Sequence, residues 1–132
     1  MSDDVPEEVR ERIASDPFCE KLGVELVALA PDAAVTRLTV SEDLLNFHGT
    51  PHGGAVYSLA DAAFAAVSNA RGDTAVALET NVSYLEAVDV GTTLTAEARE
   101  THLSDRTAEY EVVVTDEDGE RVATFRGRVY RP

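Results

Sequence analysis

At 132 residues, with 44% hydrophobic and 27% charged side chains, the chain is sized for one soluble domain with a real core and is too short for two. No apolar run approaches the length needed to cross a bilayer. The acidic start, Met1-Ser2-Asp3-Asp4, lacks the basic and apolar regions of a secretion signal. A net charge of −14, from 25 acidic against 11 basic residues, argues against nucleic acid and anionic membranes as partners, because both reward positive charge.

The lone cysteine, Cys19, cannot form an internal disulfide, which agrees with a reducing cytoplasm; it reads as a packing residue rather than a reactive thiol. The acid is dispersed along the chain, and Lys21 is the one lysine. That pattern suggests adaptation to a high-salt cytoplasm, where ions screen the self-repulsion.

In chain order, residues 6–15 read as a short amphipathic helix, with Val9 and Ile13 on one face and Pro6 near its start. Two β-like stretches follow at about 22–30 and 34–41, divided by a turn at Pro31-Asp32. Residues 46–52 carry too many loop formers for regular structure. A helix is expected from Gly53 or Gly54 to about Ala70. Four strands complete the chain at about 74–86, 92–103, 106–116 and 120–131, with turns at Ser104-Asp105 and Asp118-Gly119. Ala108, Tyr110, Val112 and Val114 alternate onto one face. The expected class is α+β, a curved antiparallel sheet around a buried central helix.

Between Gly53 and Asn69 that helix holds one charged side chain, Asp61. A carboxylate on an apolar helix costs several kcal/mol if charged and unpaired. Burial raises its pKa, which suits a general base or a nucleophile near neutral pH; the alternative is a cap on nearby backbone or a pair with an arginine. Ahead of the helix runs Asn46-Phe47-His48-Gly49-Thr50-Pro51-His52-Gly53-Gly54. Glycines at a helix entrance leave N–H groups open, and the helix dipole favours a developing oxyanion there; plain turn geometry is the alternative. His52, at the entrance, is placed to orient a carbonyl or hold the loop. His48 reads as a loop residue and His102 as structural, and three scattered histidines without partner cysteines argue against a metal site. Gly53 and Asp61 are separated by roughly 12 Å along one helix, so a site using both requires two antiparallel copies about a two-fold axis.

The run Asn46-x-x-Gly49-x-x-His52-Gly53-Gly54 with Leu59-Ala60-Asp61 resembles the phenylacetate-pathway (PaaI-like) branch of the hotdog thioesterases. Asn81-Val82-Ser83-Tyr84-Leu85, Gly91-x-x-Leu94-x-Ala96, and Asp118-Gly119 with Val122-Ala123 extend the resemblance over nearly the whole chain. It implies a hotdog fold, a homodimer pairing into a homotetramer, and hydrolysis of aryl- or medium-chain acyl-CoA thioesters without a cofactor. By this analogy Asp61 is general base or nucleophile, the Gly53 amide forms the oxyanion hole, Asn46 places water or thioester, and His52 supports the carbonyl-binding loop. Some members carry a hydroxyl residue on the strand after the helix. That position falls at Ala77, with Thr80 and Ser83 as nearby substitutes. Gly54, Phe47 and Tyr57 are candidate substrate contacts, with Phe64 and Tyr84 as further pocket-forming rings. Arg106 and Arg71 are candidates for the CoA phosphates, although solvated turn charges are the plainer reading of each. The alternatives in function are a non-catalytic acyl-CoA-binding hotdog protein and a hotdog dehydratase or hydratase built on His52 and Asp61.

Overall fold

A computed structural model describes residues 4–132; Met1, Ser2 and Asp3, the start of the acidic stretch read above, lie outside the described residues. Two short helices open the chain, α1 (Glu7–Ala14) and α2 (Pro17–Leu22). Only the first is expected from periodicity. The second is nucleated locally: the Asp16 carboxylate accepts from the N–H groups of Phe18 and Cys19, both at 3.0 Å. Pro17 supplies the preset φ at the first helical position, and Gly23, at φ 88°, ends the helix in the left-handed region.

The strands are β1 (Glu25–Ala30), β2 (Ala33–Thr39), β3 (Val76–Tyr84), β4 (Thr93–Leu103), β5 (Thr107–Thr115) and β6 (Arg121–Tyr130). They form one antiparallel sheet in the order β1-β2-β4-β5-β6-β3. The long helix α3 (Gly53–Ser68) lies against the inner face. This is the hotdog arrangement expected from the sequence, with the second helix as the addition.

Ala108, Tyr110, Val112 and Val114 of β5 are all buried, as alternation requires, beside Leu94, Ala96 and Ala98 of β4 and Phe125 and Val129 of β6. From the helix side, Leu59, Ala60, Ala63, Phe64 and Val67 complete the core. Phe64 packs edge-on to Tyr110, with ring centroids 5.8 Å apart, and lies 5.5 Å from Phe125. Phe64 therefore belongs to the core and not to a ligand pocket. Gly127 makes room for it: a Cβ there would stand 2.5 Å from the Phe64 ring. Buried Thr36 donates from its Oγ1 to the Leu59 carbonyl at 2.9 Å, a polar bond that fixes the helix along β2.

Uncovered surfaces among the described residues include one along α3 and one along β3. Gly54, Ser58, Asp61, Ala62 and Ala65 fall on one side of the helix and form an open or half-open stripe along α3. Strand β3 bonds β6 along one side and leaves its other edge open, with Val76 and Leu78 about half exposed. No helix among the described residues is long and apolar enough to cross a membrane.

Candidate active site

Asp61 stands on the open stripe of α3, half-buried, and among the described residues it has no hydrogen bond or ion pair. The alternatives raised by its sequence, a backbone cap or an arginine partner, are not realised. Its pKa is raised, first by burial and then by the negative charge of Asp16. An unpaired carboxylate that resists ionisation is a better proton acceptor once ionised than an ordinary surface aspartate. Cys19 shares this acidic neighbourhood. Burial, the Asp16 charge and hydrogen bond, and Asp61 together push its thiol up to about 11, so it stays protonated and is a poor nucleophile.

The loop before α3 is closed by its own backbone. Asn46 N–H donates to the Thr50 carbonyl at 2.8 Å, Gly49 N–H to the Asn46 carbonyl at 3.0 Å, and His52 N–H to the Leu44 carbonyl at 2.8 Å. Gly49 takes φ 80°, which favours glycine. The Asn46 side-chain oxygen accepts from the N–H groups of His48 (2.9 Å) and Thr50 (3.2 Å) and from the Thr50 hydroxyl (3.1 Å). Those donors fix which end of the amide is oxygen and leave the Asn46 NH2 as the group that can reach outward, as a donor only.

His52 is the N-cap of α3, and its Nδ1 accepts from the Gly54 N–H at 2.8 Å. An accepting Nδ1 carries no proton, which leaves Nε2 as the ring's donor. This bond uses the second N–H of the helix. The first, from Gly53, has no acceptor among the described residues and stands at the positive end of the dipole, where a helix leaves its donors open. The entrance thus offers one free amide from Gly53, with Gly54 committed to His52.

Two aromatic residues bind this entrance to β3. Tyr84 donates its hydroxyl to the Gly53 carbonyl at 3.0 Å, and Tyr57 shares a 2.6 Å bond with Thr80 while its ring meets Phe125. Thr80 is therefore occupied and half-buried, Ser83 is exposed, and Ala77 lies beside a β-bulge at Leu78. Phe47 is 93% exposed and touches only the His48 ring among the aromatic groups.

The candidate arginines are placed apart from the helix entrance. Arg71 grips Glu100 through two bonds of 2.7 and 3.0 Å, and Glu100 also accepts from Tyr110. Arg71 is thus engaged within the chain, which weakens its candidacy as a phosphate ligand. Arg106 donates to the Tyr130 hydroxyl at 3.1 Å and is exposed.

A cavity of about 490 Å³ opens between α1–α2 and α3. Its walls include Ile13, Cys19, Val24, Leu26, Ala62 and Ala66, with Asp16 at its edge. A smaller space of about 250 Å³ lies toward the helix entrance, between Phe18, Leu44, His52, Gly54 and Ser58. Asp61 falls in sequence between the helix residues of the two, Ser58 and Ala62. The sequence reading missed the N-terminal wall because it lacked α2, although Asp16-Pro17 is the pair that signals a helix start.

The thioesterase superfamily model matches residues 48–123. The acyl-coenzyme A thioesterase PaaI of Escherichia coli is 35% identical over 89% of this chain and 84% of its own length. A putative esterase of Deinococcus radiodurans is 42% identical over 86% and 78%. Among solved structures, the TT0310 protein of Thermus thermophilus superposes with a TM-score of 0.85 at 49% identity, covering 89% of this chain and 98% of that one. The E. coli PaaI structure gives 0.89 at 33% identity over 93% and 89%. The chain belongs to the thioesterase superfamily, and it is a thioester hydrolase of the hotdog fold.

Proposed function

We propose that the protein hydrolyses aryl- or medium-chain acyl-CoA thioesters to the free acid and CoA, with Asp61 as general base or nucleophile and the Gly53 N–H as oxyanion hole. The observation that carries this reading is the unpartnered, raised-pKa carboxylate of Asp61 on the open stripe of α3. In the base route, Asp61 takes a proton from water as the water oxygen attacks the thioester carbon. The carbonyl oxygen becomes an oxyanion facing Gly53, and its collapse expels CoA thiolate. In the nucleophile route, Asp61 attacks the thioester carbon directly, the C–S bond breaks to release CoA thiolate, and the resulting mixed anhydride is cleaved by water to the free acid and the Asp61 carboxylate. Asn46, through its free NH2, steadies the water or the carbonyl, and His52 holds the loop through Gly54.

The roughly 12 Å between Gly53 and Asp61 along one helix exceeds the reach of one reacting carbonyl, which needs both groups within about 3 Å of the reacting atoms. The functional unit is therefore a homodimer with antiparallel α3 helices, the Gly53 of one chain serving the Asp61 of its partner, and two dimers pair into a tetramer. The open α3 stripe and the unpaired β3 edge support this assembly. The cavity under α1–α2 receives the acyl group; Phe47 and Tyr57 line the approach, and exposed Arg106 meets the CoA phosphates. The working compartment is a reducing cytoplasm.

Incubation with phenylacetyl-CoA, octanoyl-CoA and a β-hydroxyacyl-CoA separates the readings. Thiol release from the first two supports hydrolysis. Formation of an unsaturated acyl-CoA without thiol would mark a dehydratase, and tight binding without turnover would mark a binding module.

A further inference from the structure

Tyr84 sits on β3, at one edge of the sheet, yet its side chain reaches back to the first turn of α3. The hydroxyl donates to the Gly53 carbonyl at 3.0 Å, and the ring lies against the Gly53 α-carbon, so that a Cβ there would stand 3.2 Å from Cζ and 3.3 Å from the hydroxyl. Gly53 is thus held from one side by a ring and from another by a hydrogen bond, while its N–H is left open. Four residues on, Tyr57 makes the reciprocal bond from helix to strand through Thr80 at 2.6 Å. Between α3 and β3 backbone contact is sparse compared with the packing of α3 on β2, β4 and β5. These two hydroxyls are the side-chain hydrogen bonds that tie the helix entrance to the edge strand among the described residues.

We propose that Tyr84 is a positioning residue for the thioesterase reaction: it anchors the Gly53 α-carbon with its ring and the Gly53–Gly54 peptide through its carbonyl, and so sets the direction of the adjoining His52–Gly53 peptide, whose open N–H points where the oxyanion forms. An oxyanion donor is effective only when its place is set before the charge develops, and small displacements lose much of the effect. The absence of a side chain at Gly53 serves this contact, because an alanine methyl would press on the Tyr84 ring. The inference rests on the assignment of Gly53 as oxyanion hole and adds the residue that holds it.

Tyr84→Phe removes the hydroxyl and keeps the ring. With phenylacetyl-CoA the expected result is a fall in kcat of about tenfold, with KM held within about twofold. In the Asp61→Asn background, the infrared carbonyl stretch of bound, isotope-labelled phenylacetyl-CoA should move up toward its value in water as the hydrogen bond from Gly53 loosens. Gly53→Ala, which retains the N–H but crowds the ring, should give the same signature, and the double variant should lose less than the product of the two single losses. Unchanged kcat and an unchanged stretch in Tyr84→Phe would overturn the inference. So would a raised KM at constant kcat, which would make Tyr84 a direct substrate contact. Failure of the native protein to release CoA from any thioester would remove the underlying hydrolase assignment instead, a result distinct from a silent Tyr84→Phe.

Discussion

A carboxylate on an alanine-rich helix gives up hydration without receiving a counter-ion, and Asp61 is in that position. Burial and Asp16 raise its pKa in the folded chain. The sign for stability follows from linkage: a proton held more tightly in the folded state adds stability below the unfolded-state value, near pH 4, and that contribution is lost as pH rises through the folded-state value. Ionised Asp61 therefore costs stability at neutral pH. Asp61→Asn should melt higher than the native protein at pH 7, with the difference shrinking below about pH 4, as thermal scans across pH would register. The same shift sets the activity profile: hydrolysis should fall off on the acid side at a higher pH than an unperturbed aspartate would dictate. At this scale the sequence was informative about Asp61, the lone charge in its helix, and about the glycine entrance. It was silent on which N–H remains free, because that depends on the His52 ring turning its Nδ1 onto Gly54.

Helix α3 packs on the sheet through contacts that no local pattern announces. Alternation and apolar content identify the helix and the strands that cover it, and the strand ends fall within a few residues of those read from turns. Gly127 is different: a glycine within a strand weakens it, yet this one is required by the Phe64 ring on the opposing helix. Gly127→Ala should destabilise the protein by about 1–3 kcal/mol through overpacking, measurable in urea. Thr36→Val, which leaves the Leu59 carbonyl without its buried donor, should cost about 1–2 kcal/mol. The second N-terminal helix escaped the periodicity reading because six residues are too few for an amphipathic repeat to emerge; its signal was the Asp16-Pro17 cap alone. With α2 missing, the wall of the larger cavity and the second carboxylate near Asp61 were missing too.

For the molecule as a whole, net charge and assembly govern behaviour in solution. A charge of −14 repels itself at low ionic strength, and salt bridges such as Arg126–Glu109 at 2.7 Å relieve only part of it. On the high-salt reading, the melting temperature should rise as potassium chloride goes from about 0.1 M toward 1 M, the range over which the screening length shrinks from about 10 to 3 Å; a melting temperature indifferent to salt would count against it. The dimer proposal predicts that charges placed on the open β3 strand, as in Val76→Lys with Leu78→Lys, separate the subunits in sedimentation and abolish hydrolysis together. An active monomer would contradict the shared site. The roughly 12 Å between Gly53 and Asp61 along one helix points to the dimer, whereas the pairing of dimers into a tetramer comes from the family resemblance, since no residue pattern within one chain specifies that surface.

The most direct test is CoA release from phenylacetyl-CoA and octanoyl-CoA, measured in high salt for the native protein and for Asp61→Asn. Rapid release by the native protein and a loss of about a hundredfold or more in the variant are expected, with folding and oligomeric state retained. Equal release by the two proteins would contradict the role of Asp61 as the catalytic carboxylate.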